Sequence, residues 1–386
     1  MSDSPESAPV QSIIPTDISQ AVESASQDRN LVWFGLDIGG TLCKSVYFET
    51  ETSQDKVESN GDTIDIQNLQ HYLMSSETYG SSGIRDSKLM LKCVTIGKLK
   101  GNLHFMKFET HRMKGAMELA SKFNNVSKIV LATGGGAYKY KEDFKQTLGV
   151  ELIQYDEIHS LVFGIHFILD NVSREIFYWD NPNFSDTPEK RFLSLAPSSV
   201  YPYLVVNIGS GVSIILVRSQ KDIERVGGTS VGGGTFLGLT SLLTGVTSFD
   251  EAIALAEQGD HTKVDKLVRD IYGGSYEKFG LPGTLVASSF GNMNLDEKRE
   301  KAKKEDLAKA CLITVTNNVG SIALLCARIS KVERILFVGN YLKNNVMSMR
   351  QLAYAVEYWS GGKNKALFLE HEGYFGAVGT LLQHMN

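Results

Sequence analysis

The chain has 386 residues, 42% hydrophobic and 22% charged, with 39 basic against 44 acidic side chains and a net charge of -5. That length suits two ordinary domains or one large two-lobed body at ~100–200 residues per domain, and the composition excludes a disordered or membrane-embedded chain. A mildly acidic balance without a run of Lys or Arg argues against nucleic acid or an anionic membrane surface as main partner, since both need a concentrated positive field. Cys43, Cys93, Cys311 and Cys326 lie far apart, with no Cys-x-x-Cys pair and no histidine at zinc spacing. They are expected to be reduced core thiols of a cytoplasmic protein.

Taken in chain order, residues 1–30 carry Asp3, Glu6, Asp17, Glu23 and Asp28 against the single basic Arg29, and hold no apolar core of signal-peptide length. This stretch, rich in Ser, Pro and Gln, is too acidic for a mitochondrial transit peptide and reads as a disordered tail. No later segment has the ~18 continuous apolar residues of a spanning helix. The apolar run 31–36 meets Asp37-Ile38-Gly39-Gly40-Thr41 and resumes at 45–48, a strand, tight turn and strand. A strand at 129–132 ends in Thr133-Gly134-Gly135-Gly136. Ile158, Leu161, Val162 and Ile165 then follow helical spacing, with Glu157 at the opening of the helix. The polar stretch 171–199 reads as a connection with a loop-rich insertion. Strand, turn and strand return at 203–217 around Gly209-Ser210-Gly211, half a chain from the first hairpin. A long helix spans 304–328, opened by Glu305 and Asp306, and a last strand at 334–338 ends in Gly339-Asn340. Strands mixed with long helices in both halves predict an α/β protein of two related lobes, 31–200 and 201–386.

The 36 glycines exceed the roughly 27 that an average share of ~7% would give. The excess is clustered at Gly39-Gly40, Gly134–Gly136, Gly209–Gly211, Gly227-Gly228 and Gly232–Gly234. Any one cluster is more often an ordinary tight turn. Five in one chain favour polyphosphate binding, because glycine lets consecutive N–H groups converge on phosphate oxygens. Common nucleotide motifs are missing: neither Gly97-Lys98 nor Gly362-Lys363 is followed by Ser or Thr, and no cluster satisfies Gly-x-Gly-x-x-Gly. The protein-kinase set and His-Glu-x-x-His are missing too. What remains is a pair of Gly-rich turns, one from each lobe, that clamp phosphates from two sides.

Asp37–Thr41, Asn207–Gly211 and Val338-Gly339-Asn340 resemble the two phosphate motifs and the adenosine motif of the actin/hexokinase/heat-shock kinase superfamily. Longer stretches at 133–138 (TGGGAY), 229–238 (TSVGGGTFLG), 270–274 (DIYGG), 286–292 (VASSFGN) and 368–377 (FLEHEGYFGA) resemble those of eukaryotic-type (type II) pantothenate kinases, over about 33–382. The resemblance implies a duplicated ribonuclease H-like, actin-like/hexokinase-like kinase fold. It implies transfer of the ATP γ-phosphate to pantothenate, giving 4'-phosphopantothenate in the first step of coenzyme A synthesis. Magnesium, feedback inhibition by acetyl-CoA and a homodimer are implied with it. Two positions depart from the family: Thr284 follows Leu281-Pro282-Gly283 where tryptophan is usual, and Gly227 stands where threonine is common.

Read alone, Asp156 and Glu157 are first-turn acids that complement a helix dipole. By resemblance the general base falls on Glu157, while Asp156 keeps the structural reading. Asp37 is either a turn-forming acid or, by resemblance, the acid that holds magnesium through water. Arg225 alone is a solvated charge; the resemblance brings its guanidinium into the active site, where it can bind carboxylate or phosphate bidentately. The same carry-over assigns the nucleotide to Gly39, Gly40, Thr41, Gly209, Ser210, Gly211, Gly232, Gly233, Gly234, Thr235, Gly339 and Asn340. Ser210, Ser213 and Arg225 are matched to substrate and acetyl-CoA, and Val286, Ala287 and Trp359 to the pantetheine and thioester pocket. For Trp359 the alternative is helix packing beside Tyr354 and Tyr358, and His159 needs no catalytic role. The helix at 304–328 is a candidate dimer interface. Two rivals share these motifs, a sugar or N-acetylhexosamine kinase and a non-catalytic binder of CoA esters; the presence of both Glu157 and Arg225 favours an active kinase.

Overall fold

The computed structural model describes residues 33–40, 42–50, 84–114, 117, 129–180, 182, 188–193, 200–343 and 345–385. The acidic stretch 1–30 and Thr41 lie outside them. The chain divides into two compact units, residues 1–156 with 380–386, and residues 157–379.

The first unit holds β1 (Trp33–Ile38), β2 (Leu42–Thr50), β3 (Ile84–Arg85), β4 (Leu91–Ile96), β5 (Leu99–Glu109), β6 (Ile129–Thr133), α1 (Gly135–Leu148) and β7 (Glu151–Gln154). Its sheet runs β3-β5-β2-β1-β6-β7, with β4 on β5. β1, β2 and β5 pair antiparallel; β6 and β7 join parallel to β1. Leu36 and Ile38 alternate onto a core with Tyr47, Met106, Ala132 and Phe144.

The second unit opens with α2 (Glu157–Asn171), β8 (Ile176–Asp180) and β9 (Glu189–Leu193). β10 (Tyr203–Ile208), β11 (Val212–Val217), β12 (Ile223–Thr229), α3 (Gly233–Thr244), α4 (Phe249–Glu257), β13 (Lys266–Leu267) and α5 (Val268–Tyr272) follow. β14 (Val286–Ser288), α6 (Asp296–Lys301), α7 (Lys304–Ser330), β15 (Arg334–Val338), α8 (Val346–Ser360), β16 (Lys365–Leu369) and α9 (Phe375–Met385) complete the chain, α9 running across the division between the units. The large sheet runs β12-β11-β10-β15-β16-β8-β9. Again three antiparallel strands, β12, β11 and β10, are followed by two parallel ones, β15 and β16. Counting only these five strands of each sheet, one to five in chain order, β5-β2-β1-β6-β7 and β12-β11-β10-β15-β16 share the order 3-2-1-4-5, so the fold is duplicated.

The division falls at Asp156/Glu157 and not near 200. Phe368↔Phe177 and Leu369↔Ile176 pair β8 with β16, and β9 extends β8, so the segment expected in the N-terminal lobe adds two strands to the second sheet. Helix α7 is long and apolar enough to cross a membrane by length and composition, yet 61% of its apolar window is buried inside the protein. Ala308, Leu312, Val315, Val319 and Ala323 join Phe337 and Leu204 in the second core, each large side chain contributing about 1.5–3 kcal/mol by leaving water.

The fourth of these five strands in each sheet, β6 and β15, leads into a glycine of positive φ that lies against the first hairpin. At Gly134 (φ 83°) a Cβ would sit 2.7 Å from the Ile38 carbonyl oxygen, and at Gly339 (φ 112°) 2.3 Å from that of Ile208. The Gly339 N–H donates to the buried Glu372 carboxylate at 2.5 Å. Neither position admits a side chain without moving backbone. Gly339→Ala is therefore expected to lower the unfolding free energy by about 2 kcal/mol or more, whereas Gly238→Ala, in α3 with nothing near its Cβ, is expected to raise it by up to about 1 kcal/mol. Urea unfolding of the two variants checks both signs.

Candidate active site

The second unit's turn is held from behind. Gly209 N–H donates to the Gly211 carbonyl at 2.9 Å; Gly233 N–H and Gly234 N–H donate to the Gly209 and Ser210 carbonyls at 2.9 and 3.0 Å. A helix's first amides normally lack partners; here α3 spends them on the turn. Thr235 Oγ1 accepts from Gly232 N–H at 3.3 Å and donates to the Ser230 carbonyl at 3.0 Å. Gly232, Gly233, Gly234 and Thr235 thus brace the turn, and none of them lines the pocket beside it. The N–H groups of Ser210 and Gly211 have no partner among the described residues, which leaves two donors for an anion.

The turn borders an open pocket of about 530 Å³ within the second unit, whose polar lining includes Glu157, Asn207, Ser210, Ser213, Arg225 and Ser230. Arg225 reaches it through a β-bulge. Ser213 pairs with Gly228 and Ile214 with Gly227, but Ile215 pairs with Arg225, so Val226 is the extra residue. The bulge sends Val226 to the core and turns Arg225 onto the face of Ser213. Its guanidinium lies over Gly228, where a Cβ would stand 2.5 Å from Arg225 Nη2. The glycines at 227 and 228, read from sequence as a phosphate cluster, do different work: Gly228 makes room for the arginine and for the Val212 carbonyl, which a Cβ would also approach to 2.5 Å, and Gly227 passes over Cys326 Sγ.

Glu157 opens α2 and is exposed. The helix is fixed by buried Leu161, Val162, Ile165 and Ile168 and by His166, whose Nε2 lies 2.7 Å from Tyr203 Oη and 2.9 Å from Tyr201 Oη. That contact ties the Glu157 helix to the start of β10, the strand that ends in the turn. Burial pushes the His166 imidazole down to about 4 and the Tyr203 phenol well up.

In the first unit, Gly39 N–H donates to the Leu42 carbonyl at 3.0 Å and Thr110 Oγ1 to the Gly39 carbonyl at 2.8 Å. Half-buried Asp37 faces Lys44 across the hairpin, Oδ2 to Nζ 3.7 Å. Sequence reasoning passed over Lys44; counting across the Asp37–Thr41 turn finds it. No group of three or more His, Cys, Asp or Glu side chains is arranged for a metal among the described residues. A lone carboxylate fits magnesium that arrives with phosphate and keeps its water.

Val286 and Ala287 lie on β14, outside the pocket, where Asp265 Oδ1 accepts from Phe290 N–H at 2.8 Å. Trp359 packs on the second core, and Gly339-Asn340 opens a short 3-10 turn after β15. None of these lines the pocket with Glu157. Cys43 and Cys311 are buried thiols as expected, but Cys93 is exposed and Cys326 half-buried.

Two sheets of order 3-2-1-4-5, each with a Gly-rich hairpin turn after the first of those five strands, match the duplicated actin-like and hexokinase-like fold that the sequence motifs imply. The Fumble family model matches residues 33–383. Pantothenate kinase 1 of Arabidopsis thaliana is 39% identical over 352 residues, covering 90% of this chain and 85% of that protein. The 4'-phosphopantetheine phosphatase of Mus musculus is 36% identical over 371 residues, 96% of this chain; the chain spans 42% of the mouse protein's length. A glucokinase from Balamuthia mandrillaris, solved with glucose, aligns over 95% of this chain and 98% of its own at 11% identity and a TM-score of 0.41. The chain belongs to the Fumble family.

Two outcomes follow from the geometry. Gly228→Ala, whose Cβ would stand 2.5 Å from both Arg225 Nη2 and the Val212 carbonyl oxygen, is expected to displace the guanidinium and shift the β11–β12 backbone, and so to lower activity at least as far as Arg225→Ala does; steady-state kinetics of both variants checks this. His166 has a folded value below its unfolded value of about 6.5, so the unfolded chain takes up the proton first as pH falls. The His166 contribution is full above about 6.5 and declines toward about 4. Between pH 7 and 5 the melting temperature should fall less in His166→Gln, which keeps hydrogen bonding without titrating, than in wild type.

Proposed function

We propose that the chain is an ATP-dependent kinase that phosphorylates the primary hydroxyl of pantothenate, giving 4'-phosphopantothenate for coenzyme A synthesis. Membership of the Fumble family and the name of the Arabidopsis relative support the reading. The observation that carries it is one pocket holding a carboxylate, a guanidinium and a turn with two unspent amides: Glu157, Arg225 and Gly209–Gly211.

Glu157 accepts the hydroxyl proton as the hydroxyl oxygen bonds to the γ-phosphorus. The bond from that phosphorus to the β–γ bridging oxygen breaks, and ADP leaves with the electron pair. Arg225 and the Ser210 and Gly211 N–H groups balance charge on the transferring phosphate. Asp37 is the acid assigned to magnesium, with Lys44 beside it; magnesium, when bound with ATP, neutralises the β- and γ-phosphates.

Acetyl-CoA inhibits on this reading by placing its thioester where pantothenate binds, against Ser210, Ser213 and Arg225, with Val286, Ala287 and Trp359 holding the pantetheine arm. A homodimer is supported by apolar side chains on neighbouring helices α3 and α7: Leu242 and Ile329 are 84% and 81% exposed, with Leu239, Leu243 and Leu325 also in solvent. Four free cysteines suit a reducing, cytoplasmic setting.

The test is ATP-dependent phosphorylation of pantothenate by the purified protein, with and without acetyl-CoA. Glu157→Gln is expected to lower kcat by roughly 10²–10⁴ while ATP binding stays within a few-fold, since it removes the base and no phosphate donor. Turnover of hexoses in place of pantothenate, or acetyl-CoA binding with no turnover, would overturn the reading.

A further inference from the structure

β15 ends at Val338, and Gly339, at φ 112°, turns the chain so that Tyr341 enters the core of the second unit at 2% exposure. Gly339 and Asn340 belong to the motif read from sequence; Tyr341 does not. Its hydroxyl lies 3.0 Å from Thr316 Oγ1 of α7 and 3.3 Å from Ser348 Oγ of α8, which lie 3.4 Å from each other, all three residues being buried. Hydroxyls both donate and accept, so the three satisfy one another. Asn345 completes the anchor: its Nδ2 donates to the Tyr341 carbonyl and its Oδ1 accepts from Ser348 N–H, each at 3.1 Å.

The ring stands edge-on to Phe236 of α3 and Phe249 of α4, with centroids 6.1 and 5.9 Å away at 81° and 73°. Gly233, the first residue of α3, is nearer. A Cβ there would stand 3.3 Å from Tyr341 Cδ2 and 2.8 Å from the Gly209 carbonyl oxygen, so Gly233 is held between the ring and the turn whose carbonyl accepts from its N–H. The ring itself does not line the pocket. Its influence on a ligand therefore passes through Gly233 to Gly209, and a donor braces its partner only as firmly as it is itself held.

We propose that Tyr341 is a positioning residue for the turn Gly209–Gly211: the Thr316 and Ser348 hydroxyls fix its ring, and the ring keeps Gly233 against the Gly209 carbonyl. Because Tyr341 lies two residues beyond Gly339, the same contact ties the turn after β15 to the turn after β10. A turn that is already ordered incurs little cost when it takes up an anion, whereas one with slack support must be ordered by the ligand. The surface against Gly233 belongs to the ring and not to the hydroxyl. Phenylalanine therefore keeps the support, and leucine, branched where the ring is flat, loses it. Only the identity of the anion as a nucleotide phosphate rests on the kinase reading.

The test compares the full chain as wild type, Tyr341→Leu, Tyr341→Phe and Phe249→Leu, the last removing a ring from the same cluster while Tyr341 stays on Gly233. Hydrogen–deuterium exchange without ligand is read on peptides spanning 205–212 and 229–237, which contain the Gly209, Gly233 and Gly234 N–H groups bonded within and behind the turn. Tyr341→Leu is expected to speed that exchange at least tenfold, and the other two variants to leave it within about threefold. Calorimetric binding of the magnesium complex of a non-hydrolysable ATP analogue should weaken about five- to tenfold in Tyr341→Leu and stay within twofold in the others. A merely structural tyrosine would lower the melting temperature without separating Tyr341→Leu from Phe249→Leu in either readout, and that result overturns the proposal. So does exchange within threefold of wild type in Tyr341→Leu, or analogue binding within twofold of it. If wild type binds no analogue, the kinase reading fails while the exchange comparison still decides the role of Tyr341. Should Tyr341→Leu not fold, Tyr341→Met makes the same comparison with the same thresholds.

Discussion

In each sheet the fourth strand must end against the carbonyl of the isoleucine that ends the first, and the turns depend on that contact. Ile38 with Gly134 and Ile208 with Gly339 are the same junction made twice, with positive φ and less than 3 Å from a would-be Cβ to the carbonyl oxygen. The hairpin therefore rests on neighbouring backbone, which cannot swing away as a side chain can. In the second unit α3 adds a further support, as Gly233 and Gly234 N–H groups hold the Gly209 and Ser210 carbonyls. With those carbonyls occupied, the turn meets its ligand already ordered. Donors held in place before binding incur little ordering cost when an anion arrives.

Much of this was legible in the sequence because it is periodic. The two hairpins announce themselves as apolar runs interrupted by glycine, and the 158–165 spacing puts Glu157 at the mouth of a helix whose Leu161, Val162 and Ile165 are indeed buried. The strand ends at Thr133 and Val338 are legible for the same reason. Glycine shows that something comes close without showing what. Gly232–Gly234, read as phosphate ligands, face the neighbouring turn, and Gly228 faces an arginine from its own strand. The bulge at Val226 has no signature in the apolar pattern, so the side on which Arg225 emerges could not be counted from alternation. The place of β8 and β9 was hidden for another reason. Their pairing with β16 joins residues 176–193 to 368–369, a contact far beyond any local window.

The long helix shows how composition can mislead in the other direction. Residues 304–330 pass the length and hydropathy test of a membrane span and read as an interface, yet their middle is core: Cys311, Leu312, Val315 and Val319 are buried against Phe337 and Leu352. Only toward its C-terminal end do Leu325 and Ile329 turn to solvent, and the apolar exposure continues on α3 at Leu239, Leu242 and Leu243. The helix is thus divided along its length, core first and exposed apolar surface afterwards, a distribution that a mean over the whole segment erases.

Duplication supplies the geometry and then permits its two copies to differ in charge. The first hairpin carries Asp37 against Lys44, an acid with a cation close enough to hold it in place. The second carries Asn207 against Ser213, and the pocket's carboxylate comes instead from the opening of α2, at Glu157. A triphosphate is already heavily anionic, so each further carboxylate beside it must be matched by a cation or a metal. Moving the acid off the hairpin and onto a helix leaves the second turn with amides, hydroxyls and Arg225, and on the proposed kinase reading it lets the carboxylate meet a hydroxyl rather than a metal. Two turns of one plan thereby present different groups, because the residue before Ile-Gly is charged in one and neutral in the other.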